Sequence, residues 1–135
     1  MHTTNYLNTF IEVADDCPTQ SAEIPPQKKE DKTVATMQLD MILAHPYRYT
    51  SDDVIFHVFA TKNNRTDNLE RERELFFSKG QPCFRSSPLT KRYGWGLHNN
   101  AEGKIAIYPV ESVEYQQFVK DEGLKKVKAM RSKRL

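Results

Sequence analysis

Three features of this chain point to an α+β domain. Two strand-like runs are joined by a short turn near residue 100, a period-two run lies close to the N-terminus, and four helix-patterned segments are set around them. The paired runs are the firmest signal. Arg92–His98 and Lys104–Val110 flank Asn99-Asn100-Ala101-Glu102-Gly103, a five-residue loop that sets His98 across from Lys104, Trp95 across from Ile107 and Gly94 across from Tyr108. In that register Tyr93, Trp95 and Leu97 share a face with Ile105 and Ile107. Arg92, Gly94, Gly96 and His98 share the other with Lys104, Ala106 and Tyr108.

The remaining elements follow in order. Leu7, Thr9, Ile11 and Val13 alternate with Asn8 and Glu12, a half-buried strand over 7–13. Asp15 to Lys32 reads as a loop, because Pro18, Pro25 and Pro26 withhold backbone donors. Thr33 caps a helix over 33–44, with Val34, Met37 and Met41 as its apolar stripe. His45-Pro46 ends it, since the residue before proline is pushed out of the α region. Thr50 and Asp53 have capping-box spacing and start a helix over 52–61, although Val54–Ala60 is β-branched and aromatic enough to read as a strand. Asn63 to Thr66 breaks the pattern. A charged helix follows over 69–78, closed by Gly80. Pro82 and Pro88 make the next stretch irregular, and 112–119 is a last short helix, broken by Gly123.

These elements assemble as a small antiparallel sheet of 7–13, 92–98 and 104–110, with helices on one face in two layers. A fourth strand is added if 54–60 is extended. The globular unit runs over 1–123. From Leu124 to Leu135 there are six basic residues and no acidic one, a basic C-terminal tail. The other 123 residues hold 14 basic and 18 acidic groups, so a formal net charge of +2 hides an acidic body, net −4. Such a tail meets an acidic partner or folds back on the body.

Composition excludes several classes. MHTTNYLNTF has neither a charged n-region nor an apolar h-region. No apolar run approaches the roughly 18 residues a membrane span needs. Two cysteines make no disulfide framework, and four scattered histidines make no metal motif. The expectation is a cytosolic protein with reduced thiols, no metal, no cofactor and no membrane partner.

The candidate chemistry lies in Leu75–Ala101, a window with no Asp or Glu in a chain that has 18. Arg85, Ser86, Ser87, Lys91 and Arg92 put guanidinium, ammonium and hydroxyl groups on one stretch, suited to an anion. Trp95 and Tyr108 would flank it on the hairpin, where a bare glycine admits either a ligand or an aromatic lid. Cys83 is a candidate nucleophile without a helix N-terminus to activate it, and His98 a candidate acid–base group. Gly94-Trp95-Gly96 lacks the third glycine of a dinucleotide fingerprint.

The stretches NTFIEVADDCP, YTSDDVIFHVFA, FFSKGQPCFRSSPLTKRYGWGLH and KKVKAMRSKR resemble a family of small bacterial proteins of about this length, classed as a domain of unknown function. The resemblance implies a free-standing bacterial cytosolic domain and carries no catalytic residue. IAIYPVESVEYQQF is faintly similar to the strand-then-helix end of YdhG-like proteins. The function expected is a non-enzymatic binding module for an anionic small molecule or nucleic acid. The alternatives are a small enzyme using Cys83 or His98 in a pocket between the 92–110 hairpin and the 82–91 loop, and a protein-interaction domain.

Overall fold

The computed structural model describes residues 1–26 and 32–133. Its sheet is built on β1 (Thr9–Glu12), β2 (Trp95–Asn99), β3 (Ile105–Pro109) and β4 (Lys125–Lys128), in the order β3-β2-β1-β4. The helices are α1 (Val34–Ala44), α2 (Ser51–Lys62), α3 (Leu69–Phe76), α4 (Pro88–Lys91) and α5 (Val113–Lys120). The α+β class holds. The sheet has four strands rather than three, and it is mixed, because β4 runs parallel to β1.

Residues 54–60 are helical. Thr50 accepts from Asp53 N–H, Asp53 accepts from Thr50 N–H, and this closed capping box outweighs the β-branched content that follows it. Val54 and Val58 then face the core while His57 stays in water.

The hairpin faces are as the alternation predicts, but the register is two residues different. His98 pairs with Ala106, Leu97 with Ile107, and Gly96 with Tyr108. The cause lies in the turn. Asn100 Oδ1 accepts from both Glu102 N–H and Lys104 N–H, and Gly103 takes a φ of +79°, so Asn99 joins the strand and Lys104 leaves it. A shift of two preserves side-chain parity, which is why the faces survive.

Arg92 is not a strand residue. Ser87 caps α4 by accepting Leu89 N–H, Pro88 occupies the first helical position, and Arg92 N–H closes the turn on Pro88 O. Gly94, at φ +79°, then turns the chain into β2. The stretch between Pro82 and Pro88 is likewise ordered, with a 3-10 turn over Phe84–Ser86.

The basic run from Leu124 is not a tail. Leu124 is buried against Phe10, and Lys125–Lys128 lie beside β1 as the sheet edge, where lysines discourage further strand pairing. Beyond it Lys128 and Arg131 pair with Asp15, and Asp16 accepts from the N–H groups of Ser132 and Lys133. The segment folds back on the acidic body.

Helices cover both faces rather than one. Ile11, Leu97, Ile105 and Ile107 pack against α1, α2 and α4 through Leu39, Ile42, Val54, Val58 and Leu89. On the opposite face Phe10 packs against Tyr115 of α5. Gly96 makes this possible, because a Cβ there would come within 2.5 Å of the Tyr115 ring and 2.6 Å of Phe10.

Candidate functional site

The acid-free window is spread around the fold. Arg85 turns to the sheet edge, where Nε donates to Lys128 O at 2.7 Å. Trp95 is buried, with Nε1 donating to Glu23 O at 2.9 Å, so its ring offers no stacking surface. Lys91 is half-buried at the end of α4. Arg92 is exposed and lines a hollow of about 350 Å³ with Pro26, Thr33, Val34, Ala35, Pro88 and Tyr93. Arg85 and Arg92 thus serve different surroundings.

The lids over the glycines also differ from expectation. Tyr108 lies opposite Gly96, not Gly94, and the groups that close over Gly96 are Phe10 and Tyr115. Tyr108 belongs to a separate cluster. Its hydroxyl meets Tyr47 Oη at 2.8 Å, and Tyr47 Oη meets His98 Nδ1 at 2.8 Å. The His98 ring stacks on Phe118 with centroids 4.3 Å apart. Burial holds the His98 imidazole below its ordinary pKa, against a smaller upward pull from Asp121, and burial raises the Tyr47 phenol. Tyr47 is held at a φ of +59°, unusual for a bulky side chain and reached just after His45-Pro46.

Cys83 and His98 do not share a pocket. His98 projects onto the α5 face of the sheet. Cys83 lies on the α1–α2 side, with Sγ 3.6 Å from Tyr6 Oη. Burial first, and then Cys83, push the Tyr6 phenol up, and nearby Arg85 pulls it down. A mechanism joining the thiol to the imidazole has no geometry here.

The built concavity lies between α1, α2, the end of α3 and the 82–88 stretch. It encloses about 330 Å³, with apolar walls from Val34, Ile55, Val58, Phe59, Phe76 and Pro82. Its polar lining comes from Gln38, Lys62, Asn63, Cys83, Ser86 and Ser87. Three of the sequence candidates therefore meet here: Cys83, Ser86 and Ser87. The Arg92 hollow adjoins it and shares Val34 and Pro88. Among the described residues no Asp or Glu lines either space. Lys62 and Arg92 are their charged groups, and Lys62 Nζ donates to Lys32 O at 2.9 Å.

A second groove, of about 500 Å³, is of opposite character, lined by Asp40, His45, Tyr49, Asp53 and His57. Asp53 is already occupied by the α2 cap and by Arg73 at 2.9 Å. Among the described residues no three His, Cys, Asp or Glu side chains gather to hold a metal.

Residues 1–135 match a single family throughout. The chain belongs to the DUF6157 family, a family of unknown function. The hollow is therefore a feature of a DUF6157 chain, and the match brings no activity to it. The faint likeness of the C-terminal hairpin and helix to YdhG-like proteins finds no support in that match. No curated protein and no solved structure matches this DUF6157 chain. Among the described residues, no helix is long and apolar enough to cross a membrane.

Proposed function

We propose that this protein is a non-enzymatic binding module for a small molecule with an apolar body and an anionic end, seated in the hollow between α1, α2 and 82–88. The observation that carries the reading is the charge of the lining: apolar walls, no carboxylate among the described residues, and cations only at Lys62 and Arg92. Apolar concavities with a few placed polar groups are the usual form of small-ligand sites, and 330 Å³ lies at the small end of their range. A nucleic-acid ligand has less support, because the basic C-terminal segment is engaged by Asp15 and Asp16 and Trp95 is buried. A cytoplasmic setting fits the same reading, since Cys17 and Cys83 are both free thiols.

Decanoate and decylamine, equal in apolar length and opposite in charge, provide the test. Decanoate is expected to bind and to shift the methyl resonances of Ile55 and Val58, while decylamine binds weakly. Lys62→Glu should lower decanoate affinity about fivefold, as befits an exposed charge pair. Equal binding of the two compounds, or shifts confined to other parts of the chain, removes the reading.

A further inference from the structure

We infer that Gln38 is the specificity-determining donor of this hollow, and that its ligand carries a neutral carbonyl-type oxygen inside the cavity as well as an anionic group at the Lys62 end. The inference rests on the binding reading above and deepens it.

Gln38 lies on α1 with 6% of its surface exposed, and it lines the hollow. Its Oε1 accepts from Ser87 Oγ at 2.7 Å. That hydroxyl also accepts Leu89 N–H as the α4 cap, so its proton goes to Gln38 and orients the amide. The Gln38 Nε2 pair of N–H donors has no acceptor among the described residues. That nitrogen is not among the fully buried side-chain atoms that lack a partner, so it keeps access to solvent, which a ligand oxygen can replace.

The other polar groups of the lining each have a partner. Asn63 Nδ2 donates to Phe59 O, Ser86 Oγ to Met130 Sδ, and Cys83 is in contact with Tyr6 Oη. Among the described residues, the donors left for a ligand are the Gln38 amide and, at the exposed rim, the rest of the Lys62 ammonium and the second N–H of Asn63. They differ in kind. Lys62 is exposed at the rim, where a carboxylate keeps part of its hydration, whereas Gln38 is enclosed by apolar walls that favour an uncharged acceptor. Along α1, Gln38 stands one turn, about 6 Å, beyond Val34 at the shared mouth of the two hollows. A ligand that satisfies both therefore has its carbonyl separated from its anion by an apolar span.

4-Benzoylbenzoate and 4-benzylbenzoate test this, since they share rings and carboxylate and differ only in a ketone against a methylene. Wild-type protein should bind the ketone on the order of three- to tenfold more tightly, the range of one net hydrogen bond. Gln38→Met, similar in shape and without a donor, should bind both compounds alike. Should that variant fail to fold, the side-chain amide resonances of Gln38 in the wild type decide. They move with the ketone and stay still with the methylene compound if the inference is right. Equal wild-type affinities, with Lys62→Glu still weakening both compounds, would overturn the Gln38 assignment and leave the hollow standing as an anion-accepting site. Absence of binding by either compound would overturn both.

Discussion

On the α5 side of the sheet, Gly96 lets the Phe10 and Tyr115 rings close to 5.0 Å edge-to-face, with Phe118 stacked on Phe10 at 5.0 Å. Tyr115 Oη accepts Val13 N–H, so even its polar end is used. On the other side, α1 and α2 pack on the sheet through Leu39, Ile42 and Val54, and α2 meets α3 through Phe56, Phe59 and Phe76, but a hollow remains between α1, α2, the end of α3 and the 82–88 stretch. The first interface spends its apolar surface on itself. The second leaves part of it as a lined space. Two faces of one sheet thus differ: one is shape-locked, and the other keeps a lined space. The hollow is open on one side, and the Gln38 amide that lines it has N–H donors without an acceptor among the described residues.

That contrast is strongest at Phe10, whose side chain is fully enclosed. Phe10→Ala should cost about 3–5 kcal/mol, the usual loss for emptying an aromatic site that cannot collapse. Urea denaturation followed by circular dichroism measures it, and a loss below about 1 kcal/mol would mean that the α5 face is not shape-locked. Adding one carbon on the same face comes next. Gly96→Ala places a methyl against Tyr115 and Phe10, and should destabilise by about 1–3 kcal/mol.

The matching change on the open side should be far milder. Ile55 is half-buried on α2 and lines the hollow. Ile55→Phe adds more volume than Gly96→Ala, yet it should cost less than about 1 kcal/mol because the ring can enter existing space. The same variant should lose decanoate binding. If Ile55→Phe proves the more damaging of the two, the space is not available to a guest and the comparison fails.

How much of this was legible in sequence differs by element. The hairpin faces were readable because parity is a property of alternation, whereas the register depended on one side chain, Asn100, choosing the turn. The α4 turn was written in Ser87-Pro88, but two prolines within seven residues read equally well as irregular chain. Strand β4 has one apolar residue among three lysines, and no periodicity marks a strand that lies at a sheet edge and takes its place from its ladder with the distant β1. For the site, the missing carboxylates of 75–101 drew attention to Cys83, Ser86, Ser87 and Arg92, which do line the two hollows. The opposite wall stayed hidden. The apolar stripes of α1 and α2 read as core whatever they face, and Gln38 becomes conspicuous only once its burial and its one partner are known.

The smallest expected effect concerns the C-terminal edge, where exposed ion pairs lie beside the β1–β4 ladder and the buried Leu124 and Ala129. Asp15 receives hydrogen bonds from Lys128 and Arg131, and chiefly the Lys128 bond holds its carboxyl below the ordinary range. A carboxylate whose folded pKa is depressed contributes stability that is complete above its unfolded value, about 4, and is lost as pH falls through the folded one. Both charges are largely in water, so the global denaturation midpoint at neutral pH should barely move in Asp15→Asn. The local consequence is more telling. Ala129 N–H bonds Glu12 O at 2.8 Å just after β4, and its exchange protection should drop in the variant at neutral pH. The wild type should show the same drop as pH falls through the lowered Asp15 pKa, while the amides of β2 and β3 stay protected in both. Unchanged Ala129 protection would mean that Leu124 and the β1 ladder hold the edge alone, and that the acidic pair at 15–16 is incidental to it.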